Sequence, residues 1–414
     1  MSTATPSVPN GSIGERFNPL AGSQLEDPYS FYAEARRDEP VFFSEALRMW
    51  CVTRYDDART VMGNPALFSA KESLKSIVEI CPEALTVLAA GVSSTPTAAD
   101  SDPPGHARWR KPLSAAFSAS RMRRLEPQIR EITHARIDAM LAMGHADVLA
   151  DLAYPVPLQV IGRLCGIGDE HLDRLKHWGQ SFEEFMFSQS EPDRQVVLAR
   201  DMVEYQLFMR DHIERKRAEP GEDVTSELIA GGGDQPFSEG ELVSQMVGLF
   251  VAGHETSAHL IGNALHLLLV ERARWRQVVA DPSLIPTAVE ETLRNDAPVP
   301  TFLRTATADT DLAGKKIAAG DRLVVIFASA NRDPKQFPDP DLFDLHRRNA
   351  AAHMTFGHGI HFCVGAPLAR LEARVVLEVL VERIPSLRLV PGQLFRHIPQ
   401  LVFHGFEKLE VEWE

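Results

Sequence analysis

From Ser238 to about Ala273 the chain keeps an unbroken apolar pattern over roughly 35 residues, a helix about 50 Å long. Ser238 suits an N-cap, and Glu241 completes a capping box with it. A helix of that length crosses a whole domain, so the rest of the fold is built round it. Its centre reads Leu249-Phe250-Val251-Ala252-Gly253-His254-Glu255-Thr256. Polar side chains and a glycine are costly in the middle of a buried helix, which points to a site there. His254, Glu255 and His259 suggest a zinc-protease helix, but histidines five positions apart lie roughly 140° apart round the axis and cannot clamp one metal.

The 414 residues, 44% of them hydrophobic, are enough to bury a large core. A formal net charge of −14 makes the chain a poor general binder of nucleic acid, while leaving room for one local basic face. The start, MSTATPSVPNGSIGERFNP, has no basic residue followed by an apolar run. It reads as neither a signal peptide nor a membrane anchor. No stretch approaches the roughly 18 apolar residues of a spanning helix, and a cytoplasmic protein is expected. The expected organisation is a flexible N-terminal arm over residues 1–20 and a single domain over residues 21–414.

Helical patterns dominate from Pro104 to about Asn295, broken by GGGDQP at Gly231–Pro236. Before them, Pro28–Arg37 reads as helix, Pro40–Thr53 as a hairpin and Asp56–Met62 as helix. Residues Lys71–Asp100 read as loop with short helical turns. After Pro298, short strands are expected at Thr301–Thr307 and Arg322–Phe327, then a proline-rich loop, then a helix from Ala366 to about Ile384. The tail LVFHGFEKLEVEWE alternates like a terminal hairpin. The fold class is mainly α with a minor β part.

Four cysteines, Cys51, Cys81, Cys165 and Cys363, are too scattered for a disulfide framework or a CxxC zinc site. Cys363 stands apart by its setting, Phe356-Gly-His-Gly-Ile-His-Phe-Cys363-Val-Gly365. Glycines at Gly359 and Gly365 allow close approach of a flat ligand. A helix starting just after the cysteine aims backbone amides at its sulfur, which favours a thiolate. From the residues alone three readings stay open: a haem ligand, an inert thiol in a tight loop, and a zinc ligand with His358 and His361.

This segment resembles the cysteine-loop signature of the cytochrome P450 family, F-x-x-G-x-x-x-C-x-G, with Phe356, Gly359, Cys363 and Gly365 at its fixed positions. Ala252-Gly253-His254-Glu255-Thr256 resembles the family's A-G-x-[DE]-T oxygen-binding motif. Glu291-Thr-Leu-Arg294 resembles its E-x-x-R pair, with Asp344 and Arg347 as the partner segment, although Asn295 stands where an aromatic residue is common. The resemblance runs from about Asp27 to the end.

The resemblance implies a triangular helical prism with small antiparallel sheets and a soluble bacterial haem-thiolate monooxygenase. Its cofactor would be haem b (iron protoporphyrin IX), with Cys363 as axial thiolate. His106, Arg110, Arg304 and His361 would hold the haem propionates, and Phe356, Ala252, Gly253 and Gly365 would border the ring. Glu255 and Thr256 would manage protons. The substrate pocket would draw on Phe182, Phe185, Leu249, Phe250, Val299, Thr301, Phe302 and Phe403, with Met186 and the Lys71–Asp100 loop, for a mainly hydrophobic or aromatic small molecule. Dioxygen is the co-substrate. No electron-transfer domain is fused, so electrons from NAD(P)H are expected through a ferredoxin or flavodoxin and its reductase, with the chain a monomer. Arg108, Lys111, Arg370 and Arg374 are expected to form a basic docking patch, or else a generic solvated face. Two rivals remain: a peroxide-dependent relative, against which Glu255-Thr256 argues, and a non-catalytic haem sensor or carrier.

Overall fold

The computed structural model describes residues 11–232 and 235–414. The long helix spans Glu239–Val270 and is buried over most of its surface. Its capping box is complete: Ser238 N donates to Glu241 Oε2 at 2.8 Å, and Glu241 N donates to Ser238 Oγ at 3.3 Å. The helix ends three residues before the apolar pattern does, because Glu271 turns extended and a separate helix, Arg272–Ala280, begins.

Helices Pro155–Leu164, Leu172–Phe187, Pro192–Ala218, Ile285–Asn295 and Ala366–Arg383 pack round this axis. Gly253 permits the close approach of helix Pro155–Leu164. A Cβ there would lie 2.7 Å from Ile161, so glycine at this position serves helix packing as well as the space beside it.

A five-stranded sheet lies beside the helices, in the spatial order Val41–Ser44, Met49–Val52, Arg322–Ile326, Thr301–Ala306, Phe68–Ser69. The expected hairpin is present, with Val41 opposite Val52. One pairing departs from an antiparallel sheet: Met49–Val52 runs parallel to Arg322–Ile326. The intervening chain makes a long crossover, so no tight turn imposes direction on that pair.

The tail does not form a hairpin. Glu410–Glu412 pairs instead with His145–Asp147 and with Arg388–Leu389. Alternation reports a half-buried strand but not its partner. Residues 1–10 of the expected arm lie outside the described residues. The rest of it is anchored: Ser12 caps a helix at Ile13–Arg16, and Phe17, fully buried, stacks on Phe31 at 5.4 Å and meets Phe42 edge-on at 5.4 Å. Two apolar residues in a polar stretch were too weak a pattern to show this. The GGGDQP break falls between Ala230 and Glu239, and residues 233–234 within it lie outside the described residues. Among the described residues, no helix is long and apolar enough to cross a membrane.

Glu291 and Arg294 are both fully buried. Arg294 donates to both carboxylate oxygens at 2.7 Å, and Arg347 Nε adds a bond to Glu291 Oε1 at 3.0 Å. Asp344 joins through its backbone N–H, 3.0 Å from the same oxygen, and not through its charge. Arg294 also donates to the carbonyls of Asn331, Pro340 and Leu342. This network ties the proline-rich loop to the helical core, directly upstream of the cysteine loop.

Candidate functional site

Cys363 lies on the wall of a largely apolar cavity of about 300 Å³ between the long helix and the cysteine loop. The loop holds its shape through Gly357 and Gly359, both at φ 73°, and through the Cys363 N–H bond to the Phe356 carbonyl at 2.8 Å. At Gly359 a Cβ would also meet the Met62 carbonyl at 2.9 Å. Gly365 has an ordinary φ of −81°; a Cβ there would sit 3.8 Å from the sulfur. Burial pushes the Cys363 thiol up, while the amides of Gly365 and Ala366 and the charge of Arg110 pull it back. These are the donors that a thiolate requires.

Opposite the sulfur, Gln245, Leu249, Ala252, Thr256 and Leu260 share one face of the long helix and line the cavity. Thr256 Oγ1 donates to the Ala252 carbonyl at 2.8 Å. Glu255 does not reach the cavity. It points to the far side, only 1% exposed, with Oε1 3.1 Å from His254 Nε2 and Oε2 4.0 Å from His259 Nε2. Burial raises its carboxyl, but His254, His259 and Lys176 together hold it below its ordinary value. The structure therefore separates Thr256 and Glu255 onto different faces of the helix.

At one edge of the cavity, donors converge without acceptors. Arg110, Arg304 and His361 line it, and the His106 ring lies edge-on to His361 with centroids 4.5 Å apart. His106 Nε2, Arg304 Nη2 and both ring nitrogens of His361 are buried and have no hydrogen-bond partner among the described residues. Burial, aided by Arg304 and His106, takes the His361 imidazole down to about 4. Burial likewise lowers the Arg304 guanidinium to about 10 despite Asp102 nearby. Each orphaned buried donor costs about 1–3 kcal/mol. Donors grouped at one edge of an apolar cavity with a cysteine sulfur on its wall suit a flat metallated ring bearing carboxylates. Haem fits this donor set.

Phe182, Leu249, Val299, Phe302 and Phe403 of the expected substrate pocket line the cavity, as do Leu74, Thr97, Ala98 and Ala99 from the Lys71–Asp100 segment. Phe185, Phe250 and Thr301 do not. Phe185 is buried in a separate cluster with Ala84, Leu198 and Ala199. Phe250 lies off the Gln245–Leu260 face, with its ring 5.4 Å from His254. Thr301 is buried, its hydroxyl donating to the Leu401 carbonyl at 2.6 Å. Met186 is also outside the lining, whereas Phe187 is part of it. Gln245, missed in sequence, falls on the helical repeat through Leu249 and Thr256 and was findable by period alone. Glu183, behind Glu255, and Glu372, buried beside Ser257, carried no pattern in sequence that could have marked them.

Residues 276–389 match the family model described as Cytochrome P450. The chain is 37% identical to cytochrome P450 monooxygenase PikC of Streptomyces venezuelae, over 100% of this chain and 96% of that one. It is 36% identical to 6-deoxyerythronolide B hydroxylase of Saccharopolyspora erythraea, over 88% and 90% of the two chains. Its structure superposes on that of cytochrome P450 CREJ in complex with (4-ethylphenyl) dihydrogen phosphate with a TM-score of 0.94 at 31% identity, covering 97% of this chain and 100% of the other. With the cysteine loop, the crossing helix and the converging donors in place, the chain belongs to the cytochrome P450 family of haem-thiolate monooxygenases.

Proposed function

We propose that Cys363 is the axial thiolate of a haem b whose propionates are held by His106, Arg110, Arg304 and His361, and that the enzyme oxidises a bulky, mainly hydrophobic small molecule. The observation that carries this reading is the set of orphaned donors at one edge of the cavity that Cys363 borders. Bound there, haem supplies the dioxygen-activating redox chemistry.

The chain's own part is to bind, orient and ration protons. Charge-assisted bonds from four cationic or donor side chains suit two carboxylates. Phe182, Val299, Phe302 and Phe403 offer apolar and aromatic surface to a substrate, and Gln245 and Thr97 add polar points. The relatives are named for macrolide substrates (6-deoxyerythronolide B; mycinamicin IV) and, at 37% identity, as a steroid C26-monooxygenase, which supports a large polycyclic or macrocyclic ligand. Thr256, facing the cavity, holds a proton or a water at its hydroxyl, and Glu255, a buried carboxylate on the adjoining helix face, relays protons to it.

Electrons come from separate redox partners, which we propose are a ferredoxin and its reductase, acting on a monomer. Of the expected docking patch, Arg108, Arg370 and Arg374 are already paired, with Glu241, Glu290 and Glu126/Glu378. Lys111 is exposed and has no ion-pair partner among the described residues, and Ile360 and Phe362 beside Cys363 are exposed apolar residues. The docking surface is therefore less basic and more apolar than the charges in the sequence suggest.

Binding spectra of the haem-loaded protein against macrolactones, steroids, terpenoids and small aromatics, followed by turnover with a surrogate ferredoxin and reductase, test the substrate class. The reading expects spectral shifts and oxygenated product from at least one bulky apolar class. Shifts restricted to small polar compounds would contradict it.

A further inference from the structure

The cluster behind the long helix holds more ionisable groups than the site described above uses. Glu183, on helix Leu172–Phe187, and Glu255 and His259, on the long helix, place one carboxylate oxygen or ring nitrogen each within 4.8 Å of one another. All three are 1% exposed. Glu183 Oε1 and both ring nitrogens of His259 have no hydrogen-bond partner among the described residues. The His259 ring packs directly on Gly405, where a Cβ would fall 2.0 Å from its Nδ1.

Two ionised carboxylates this close in a dry interior repel strongly, and one of them holds a proton instead. The groups facing the pair decide which. His254 and Lys176 face Glu255 and favour its anion, while Glu183 meets the charge of Glu255 and the neutral amide of Gln400. Burial, then the Glu255 charge, push the Glu183 carboxyl well up. Burial holds the His259 imidazole down near 4, so it offers little positive charge to the pair. The Tyr154 hydroxyl lies beside Glu255, and Lys176 Nζ sits 4.6 Å from the centre of the Tyr154 ring; both residues are half-buried and lead outward. Tyr205, fully buried, also feels the charge of Glu255.

We propose that Glu183 is a positioning residue that stores a proton for Glu255, the two carboxyls sharing one proton between them. This rests on the haem-monooxygenase reading above. The Glu183 O–H bond breaks as an O–H bond forms on Glu255. That Glu255 O–H bond then breaks as the side chain turns toward Thr256 and hands the proton to its hydroxyl oxygen, which releases its own proton into the cavity and leaves both carboxylates ionised. The pair is refilled from solvent on the Tyr154 and Lys176 side. One proton enters for each one delivered, and nothing is oxidised or reduced.

The test uses haem-loaded protein, wild type, Glu183→Gln and Glu255→Gln. Infrared spectra in H2O and D2O should show a protonated-carboxyl C=O band that Glu183→Gln removes and Glu255→Gln shifts. Glu372→Gln assigns the separate band of Glu372. With NADPH and a surrogate ferredoxin system, Glu183→Gln should slow NADPH oxidation about tenfold or more and enlarge the solvent isotope effect. The carbon monoxide spectrum should be unchanged, which separates failure of this proposal from failure of the haem reading. Absence of the Glu183 band would overturn the proposal, as would an unaltered isotope effect in Glu183→Gln. Elemental analysis of the wild type needs no variant: a divalent ion retained with the protein beyond iron, and lost in Glu183→Gln, would also overturn it.

Discussion

Arg294 grips both oxygens of Glu291 at 2.7 Å while neither side chain touches solvent. Removing one partner leaves the other charge buried and alone, at a cost of about 3–5 kcal/mol. Glu291→Ala should lower the unfolding midpoint sharply and yield little haem-loaded protein, because Arg294 and Arg347 also pin the loop that leads to Cys363. Denaturant melts with haem occupancy measured in parallel check this; a midpoint like that of the wild type would remove the pair from its bracing role.

Arg304 should behave the opposite way. Its Nη2 is buried without a partner, so the chain carries a cost that only a bound anion relieves. Arg304→Leu is expected to leave the haem-free protein as stable as the wild type or more so, yet to release haem faster to an apo-haemoprotein acceptor. Equal release rates would separate Arg304 from the propionates.

Thr256→Ala removes a hydroxyl bonded, among the described residues, only within its own helix, to the Ala252 carbonyl, so the expected stability change is small, within about 1 kcal/mol. The ratio of product formed to NAD(P)H consumed should fall severalfold as electrons are diverted to peroxide. Full coupling in this variant would mean that the hydroxyl does not handle the proton.

Glu372 supplies a pH signature. Burial raises its carboxyl to about 8, and Ser257 beside it only partly opposes this. Unfolded glutamate ionises near about 4.3. Between those values the folded state holds a proton that the unfolded state has lost, so this group makes stability fall as pH rises from about 4.3 to 8 and then level off. Glu372→Gln should flatten that fall and raise stability at neutral pH. Parallel melts across the range decide it; identical slopes in the two proteins would place the Glu372 proton elsewhere.

Docking should depend less on charge than the sequence suggests. Three of the four expected cations are neutralised by carboxylates, so Lys111→Glu should slow reduction by ferredoxin modestly and Phe362→Ser should slow it too. Stopped-flow reduction at several salt concentrations measures both. Rates insensitive to either change would move the partner to another face.

The sequence was most legible where chemistry forces both spacing and residue type. The capping box, the cysteine loop and the Glu291-x-x-Arg294 spacing each depend on a few neighbouring residues, and the structure places them as the patterns imply. Side-chain direction was less legible. Phe250 and Glu255 sit among residues that line the cavity but rotate away from it; the long helix is apolar on nearly every face, so its composition does not separate them and only the repeat through Gln245, Leu249, Ala252 and Thr256 does. Contacts between distant elements were not legible at all. Glu183 meets Glu255 because two helices cross, and the tail strand Glu410–Glu412 finds His145–Asp147 across the fold.

The central claim is that the Cys363 thiolate binds the haem iron. The most direct measurement is the carbon monoxide difference spectrum of the reduced protein, for the wild type and for Cys363→His. The account predicts a thiolate-type Soret shift in the wild type and its loss in the variant even where haem is retained. A wild type without that shift, or a variant that keeps it, would contradict the claim.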